Sequence, residues 1–524
     1  PNNEGLKVPI ELSVSVHSDA GHSKIDNLIG TLGICTTNHN DGLLATGTHR
    51  LASRDLSDMI ISQIQEDINY TYKADWPIRG IWDKSYSESR RPEVPSTIIE
   101  LLSHQNFADL KYGHNPRFKF VVGRAIYKSI LKYMAQKNNT EYVVQPLPVN
   151  SFSAEFGEKE NTVILNWKST VDKQEVSAIS NRYVLYTSTD GVSFDNGTVV
   201  NSTSHTVKIL PGKIYSFKVT ALNDGGESFP SEVLSVHKSM TEKSVVMIVN
   251  GFDKISAPKI IDTMDEAGFD VVNGTDISYM KNITTCGNQI CFDRSLGGGE
   301  GIGSLGYSSD DMIDVISAGN TFNYPYKHGQ SIVMARDYSF VSCSKEAVEK
   351  NLVDLNKYEI VNYILGLQGQ SAGGVSTDKT FSNKMQAVID EYCRLGGNLL
   401  VSGAYIASDM SKNDEDRFFI SNVLKYQLDE EAKKHDEGLY GLTLQFGLFS
   451  ERNPKTYRVP SIDAITPSKG AIAVLGFNDN GQACGVAYKG KYKVFALSFP
   501  FESIVTKHER DVLMASILNY FTKK

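Results

Sequence analysis

Long apolar runs are missing from this chain. None of its 524 residues lies in a stretch reaching the roughly 18 consecutive apolar positions a membrane-spanning helix requires. Positive charge is also in deficit: 53 Lys and Arg stand against 61 Asp and Glu, a net charge of −8. No basic stripe is available to neutralise phosphates, which excludes nucleic acid as the partner. Cysteine is scarce, and six in the whole chain do not make a disulfide scaffold. Cys286 and Cys291 could close a small loop, although two unconnected thiols is the plainer expectation. No second Cys/His pair lies near them, so a structural zinc is not expected there. What remains, 40% apolar and 22% charged residues, is the composition of ordinary globular domains, and the length fits about three of them.

The most informative stretch is STIIELLSHQNFADLKYGHNPRF, residues 96–118. An apolar, β-branched run reaches Glu100, and His104, Asn106, Asp109 and His114 follow closely. A strand that ends in a carboxylate and opens into a polar turn is where α/β enzymes place acid–base groups. Residues 8–17, VPIELSVSVH, alternate apolar and polar positions as a strand does, and end on His17 before Ser18, Asp19 and Gly21. If the two strands are parallel neighbours, His17 and Glu100 point into one crevice. A neutral imidazole there suits zinc, and a nearby carboxylate can take a proton from metal-bound water.

The series VSVHSDAG, RLASRDLSDMIISQIQEDI, IRGIWDKSY, RRPEVPSTIIELLSHQN and RFKFVVGRAIYKSILKYM resembles zinc-dependent N-acetylmuramoyl-L-alanine amidases over residues 8–136. In that family a strand ends in His-x-Asn/Asp-Ala and its histidine binds zinc, which here is His17. An Arg-Gly pair corresponds to Arg79 and Gly80. A Pro-x-x-x-x-Glu-x-x-x-x-x-Asn segment corresponds to Pro95, Glu100 and Asn106, with Glu100 as the catalytic group and His104 and Asn106 at the rim. The resemblance implies peptidoglycan or another glycan–peptide as substrate and a secreted, periplasmic or cell-surface bacterial protein. The wording SHQNFADLKYG also resembles large secreted bacterial proteins labelled xanthan lyase, although no residue here supports lyase chemistry.

The family binds its zinc through a second histidine, in a Gly-His-Gly turn, and a glutamate, both upstream of the His17 strand. Neither has a counterpart in this chain; His22, His39, His49 and Glu11 do not occupy those positions and read as loop or surface residues. Catalytic zinc takes about three protein ligands, so the expectation is incomplete ligation and no turnover by the chain as it stands. Strands 8–17 and 97–102 read as nearly continuous apolar surface of a sheet buried on two sides, which suggests a longer amidase-like domain beginning further upstream. The rival expectation is a non-catalytic, carbohydrate-binding or surface-interaction protein.

After the proline-rich linker PLPVN (146–150), short alternating strands such as NTVILNW, NRYVLYTS and KIYSFKVTALN are separated by turns at Asp190-Gly191 and Pro211-Gly212. Trp167 is placed to fill a sandwich core, and Leu210 and Tyr215 to form a tyrosine corner. This segment resembles a fibronectin type III domain that spaces its neighbours.

From about residue 243, strands alternate with helices, implying an open parallel sheet covered on both faces. SVVMIVNGF reads as a buried strand, with a helix expected in APKIIDTMDEAGF. The region resembles flavodoxin-like or class I glutamine-amidotransferase-like domains. The elbow cysteine of the latter is absent, since LQGQSAGG stands in that place. Ser371 there is read as part of a polar loop, and His328, His435 and His508 have no spacing that singles one out. Gly301, Gly303 and Gly306 match a dinucleotide fingerprint without the strand and helix that would give it meaning. Asn250 and Asp253, at the end of the first strand, are the preferred ligand-edge residues. The expected architecture is therefore a multidomain α/β protein: an amidase-like α/β domain over 1–142, a β-sandwich over 143–240 and a doubly wound parallel α/β domain over 241–524.

Overall fold

The computed structural model describes residues 9–23, 26–270, 276–284, 291–293, 315–369, 379–433 and 438–523. Cys286, Gly301, Gly303, Gly306, Ser371 and His435 lie outside the described residues.

In the N-terminal region, apolar residues recurring every three or four positions build two long helices. The first, α1 (Leu51–Tyr72), buries Leu56, Ile60, Ile64 and Ile68. It stops where Lys73 turns left-handed and returns its N–H to Asn69. The strands are β1 (Ser13–Asp19), β2 (Thr31–Cys35), β3 (Ile78–Asp83) and β4 (Ser96–Ser103). Between β3 and β4 lies the single turn α2 (Ser87–Arg90), and after β4 come α3 (Phe107–Gly113) and α4 (Pro116–Asn138). The helix α4 starts with Asn115 accepting the Arg117 N–H and Pro116 in the first turn, where its missing N–H costs nothing. The two long helices meet over Phe118, Val122, Ala125 and Trp76, and the buried Lys128 ammonium of α4 reaches Asp67 of α1 at 2.8 Å.

These strands form one sheet in the order β1-β4-β2-β3. The pairs β1–β4 and β2–β3 are parallel, whereas β2–β4 is antiparallel. One expectation is corrected: β4 is largely buried, but β1 is the sheet edge and Val16 is 52% exposed. Its apolar positions therefore do not belong to a strand covered on both faces.

Residues 150–237 form the sandwich. Strand Thr162–Lys168 pairs with Asn150–Phe156 and Ser204–Lys208, and Ile214–Asn223 pairs with Arg182–Ser188 and Leu234–His237, all antiparallel. Trp167 is buried between the sheets, edge-on to Tyr183 at 5.5 Å and to Phe152 at 6.4 Å. The Tyr215 hydroxyl accepts the Leu210 N–H at 3.3 Å, forming the tyrosine corner.

The C-terminal sheet is built on five parallel strands. In spatial order they are Tyr338–Ser344, Ser244–Asn250, Ile360–Gly366, Asn398–Gly403 and Lys493–Leu497. Ala483–Lys489 and Ala471–Phe477 extend it antiparallel. The strand Ser244–Asn250 reads as continuously apolar because both faces are covered. Val246 and Ile248 pack with Ile332 and Leu513 of the helices Tyr324–Met334 and Lys507–Thr522. Met247 and Val249 pack with Met385 and Ile389 of the helix Asn383–Arg394 on the other side. The sandwich is continuous with this sheet, since Ala154 pairs with Ser342 and His237 with Phe340. Among the described residues no helix is long and apolar enough to cross a membrane.

The helix expected in APKIIDTMDEAGF is not formed. Lys259–Asp262 and Glu266–Asp270 pair as an antiparallel hairpin. The adjacent β-branched residues Ile260 and Ile261 favour extended backbone, and Ala267 and Phe269 are buried against Phe107 of α3. A tertiary contact with the N-terminal region thus overrides a helical pattern.

Candidate functional site

The parallel register of β1 on β4 sets His17 directly opposite Glu100. Beyond them the register slips, and Asp19 pairs with Ser103. The carboxyl end of this strand pair therefore carries an imidazole and two carboxylates within one short crevice. Arg79 enters from β3 on the far side of the sheet, and its Nη1 donates to Asp19 Oδ2 at 2.7 Å. Gly80 beside it has φ +101° and open space where a Cβ would stand. The Arg-Gly pair thus reflects a backbone conformation that side chains rarely adopt.

Glu100 Oε2 is buried and has no hydrogen-bond partner. Its carboxyl is raised above the usual range, first by burial and then by the charge of Asp19, while His17 and Arg79 oppose the shift. Arg79 Nε and Nη2 are likewise buried without partners. His17 Nε2 lies 3.1 Å from Glu88 Oε2 of α2, with both side chains more than 40% exposed, so this pair faces solvent. His104 sits across the crevice, its ring Nδ1 3.2 Å from Ser18 Oγ and its backbone N–H donating to the Asp19 carbonyl.

Asn106 lies beneath the rim. It is fully buried, donates to the Asn27 carbonyl at 2.9 Å and accepts the Ser23 N–H. Asp109, also buried, accepts the N–H groups of Ile29, Gly30 and Ser103. These two residues tie the loop before β2 to the end of β4, holding the crevice in shape. Asp19 was legible only as a strand-end residue; its service to Arg79 depends on the sheet order.

A catalytic zinc takes about three protein donors. Among the described residues no three His, Cys, Asp or Glu side chains converge so as to hold a metal. His17 is engaged by Glu88 and Asp19 by Arg79, so the described residues do not offer that ion a donor set.

A second polar cluster lies at the carboxyl edge of the C-terminal sheet. Asn250 ends its strand nearly buried, with Oδ1 unpartnered. Asp253 Oδ1 accepts from Lys345 Nζ at 2.7 Å. Glu232, from the sandwich, points a buried, unpartnered Oε1 into this region. Burial and the neighbouring Glu346 and Asp253 carboxylates push its carboxyl up to about 8. On the face covered by the helices Tyr324–Met334 and Lys507–Thr522, His328 is fully buried, with Nε2 3.1 Å from Glu502 Oε2 and Asn362 Nδ2 2.9 Å from its Nδ1. Tyr457 donates to the other Glu502 oxygen at 2.6 Å. This network is buried and joins the helix Tyr324–Met334, the strand Ile360–Gly366 and the turn Phe501–Ser503; His508 is exposed on the surface.

Comparison with known proteins bears on the middle of the chain. The family model described as "Fibronectin type III domain" matches residues 147–237. A solution structure of a human FNIII domain is 23% identical, covering 18% of this chain and 80% of its own, with a TM-score of 0.16. The rat CD45 extracellular region, domains d3–d4, is 20% identical over 18% of this chain and 51% of its own, with a TM-score of 0.16. A structure of titin kinase and its flanking domains is 16% identical over 24% of this chain and 27% of its own, at the same TM-score. No curated protein matches the chain. Residues 147–237 are a fibronectin type III domain, set within a mixed α/β multidomain protein.

Proposed function

We propose that the crevice at the carboxyl ends of β1 and β4 serves a hydrolase acting on the amide bonds of peptidoglycan or a related glycan–peptide, with Glu100 as the proton-transferring group. The observation that carries this reading is the half-buried Glu100 carboxyl: its Oε2 is buried and unpartnered, and the group is raised above its usual range and opposite His17 in register. A carboxyl shifted toward neutrality can take a proton from an attacking water and return it to the leaving amine. Arg79, oriented by Asp19, supplies buried N–H groups suited to the developing oxyanion. His17 and His104 flank the entrance and orient the substrate. A substrate of this class lies outside the cell membrane, so on this reading the protein works in the periplasm, at the cell surface or beyond. The parallel sheet of the C-terminal region, in the order 2-1-3-4-5, supports a doubly wound, flavodoxin-like domain with Asn250 and Asp253 at its ligand edge.

A second reading is favoured by the lack of a three-donor set among the described residues: the crevice binds the glycan–peptide without cleaving it. Peptidoglycan sacculi incubated with the full chain separate the two, with released amino groups and co-sedimented protein measured together and bound zinc quantified. Turnover by the native chain, lost in Glu100→Gln with co-sedimentation retained, supports hydrolysis. Equal co-sedimentation without turnover in either protein supports binding alone. Neither turnover nor co-sedimentation refutes both.

A further inference from the structure

The polar cluster at the carboxyl edge of the C-terminal sheet holds more acid than base. The sandwich strand Leu234–His237 runs antiparallel to Tyr338–Ser344, with His237 opposite Phe340 and the Ser235 N–H donating to Ser342 Oγ at 2.8 Å. Followed back toward Glu232, that direction leads to the carboxyl end of Tyr338–Ser344, where Lys345 and Glu346 come next. The Val233 N–H donates to the Phe322 carbonyl at 2.7 Å, which fixes the backbone beside Glu232. Asn250 ends the neighbouring parallel strand opposite Ser344, and Asp253 follows it. Lys345 is committed to Asp253 at 2.7 Å. Glu232 and Glu346 therefore share this edge with no described cation paired to either.

Two oxygens at this edge lack donors. Glu232 Oε1 and Asn250 Oδ1 are buried without a hydrogen bond, and Asn250 as a whole is only 5% exposed. Burial also raises the Glu346 carboxyl, and the Asp253 charge adds to the shift. Bare acceptors in such a place cost free energy until a donor arrives. Asp253 is 34% exposed, so the cluster opens to solvent on that side, at the sheet edge where parallel α/β folds take their ligands. The acceptor set narrows the ligand. Among the described residues no three His, Cys, Asp or Glu side chains converge to hold a metal ion. A quaternary ammonium has no N–H to give, and a guanidinium brings five, more than the set can take. A primary ammonium brings three, one each for Glu232, Glu346 and Asn250 Oδ1.

We propose that the carboxyl edge of the C-terminal sheet binds the primary ammonium group of a small alkylamine, held by Glu232, Glu346 and Asn250. The proposal rests on the reading of Asn250 and Asp253 as a ligand edge, to which it adds the class of ligand, and it is independent of the Glu100 crevice. The Glu232 carboxyl, pushed up to about 8 by burial and by the Glu346 and Asp253 charges, is mostly protonated at pH 7. It gives that proton to solvent when the ammonium arrives, because a neighbouring cation favours the ionised form. Since Glu232 belongs to the sandwich, the fibronectin type III domain supplies part of the site as well as spacing its neighbours.

The test is calorimetric titration of the full chain with cadaverine, using tetramethylammonium as the comparison cation. Cadaverine binds and tetramethylammonium does not. Repeating the titration at pH 7 in phosphate and in Tris counts the protons released, and about one per site is expected. Glu232→Gln keeps the size of the side chain and removes its charge; it weakens binding about ten-fold and abolishes the proton release. Glu346→Gln weakens binding as well, and Glu100→Gln leaves it unchanged. Native-state hydrogen exchange of peptides spanning 244–254 locates the ligand, with glutarate as the anionic counterpart of cadaverine. Protection by cadaverine that is lost in Glu232→Gln supports the proposal. Protection by glutarate and not by cadaverine overturns it while leaving the ligand edge standing, and protection by neither overturns both. Equal affinity for tetramethylammonium, or binding indifferent to Glu232→Gln, also overturns the proposal.

Discussion

Asp463 offers a sharp test of how the C-terminal region is held together. It lies fully buried in the strand Ile462–Pro467. Its Oδ2 accepts the N–H groups of Ala407 and Ser408, just past the end of the central strand Asn398–Gly403, each at 2.9 Å. Its Oδ1 is buried without a partner. Burial, the largest influence, raises the carboxyl to about 6 despite those two donors. An unfolded aspartate titrates near 3.9, so the shift of about two units corresponds to roughly 3 kcal/mol. The sign follows from the direction. A carboxyl raised on folding favours the native state while it is protonated, and that advantage is lost as pH rises from about 4 through about 6. Asp463→Asn keeps an oxygen for Ala407 and Ser408 but no longer titrates. The new amide nitrogen adds a pH-independent cost of about 1–3 kcal/mol as a buried, unpaired donor. The difference in stability between native and variant proteins should therefore move by roughly 2 kcal/mol in favour of the variant between pH 4 and pH 8. A multidomain chain does not unfold in a single step, so the readout is native-state hydrogen exchange of peptides spanning 398–408. A difference that stays flat across that pH range refutes the assignment of the titration to Asp463.

Two further outcomes follow from other contacts. Asp67→Ala strands the Lys128 ammonium, 2% exposed, without its carboxylate and costs about 3–5 kcal/mol. It also removes the acceptor for Gln174 of the sandwich; thermal unfolding followed by circular dichroism should show the loss, and Asp67→Leu with Lys128→Met should recover most of it. Gly80→Ala meets no atom, so its cost is the left-handed backbone alone, about 1–2 kcal/mol in native-state hydrogen exchange of peptides spanning β3; a neutral result would mean that β3 relaxes around Arg79.

The sandwich was legible because its signals are local. Alternation places Trp167 and Phe217 inward, turn residues space the strands, and Tyr215 lies five residues after the backbone N–H that it receives. The apolar runs leading to His17 and Glu100 were legible for the same reason, but the strands do not end there: β1 runs on to Asp19 and β4 to Ser103. The hairpin at 259–270 was misread because Ile260, Ile261 and Phe269 fit either a helix or a strand, and only the presence of Phe107 decides between them.

The sequence by itself therefore determined which segments are strands and helices in most of the chain, and that one strand carries a carboxylate and another an imidazole. Strand order, register and burial came from the tertiary structure alone. His17 meets Glu100, far away in sequence, only because β1 lies parallel beside β4. Glu502 reaches His328 across an even longer span of chain, and residues of all three regions line one cleft. Periodicity reports which face of an element is apolar, because that depends on neighbours a few residues away. Which other element covers that face is set by packing over the whole chain, and so is the desolvation that raises Glu100 and Asp463.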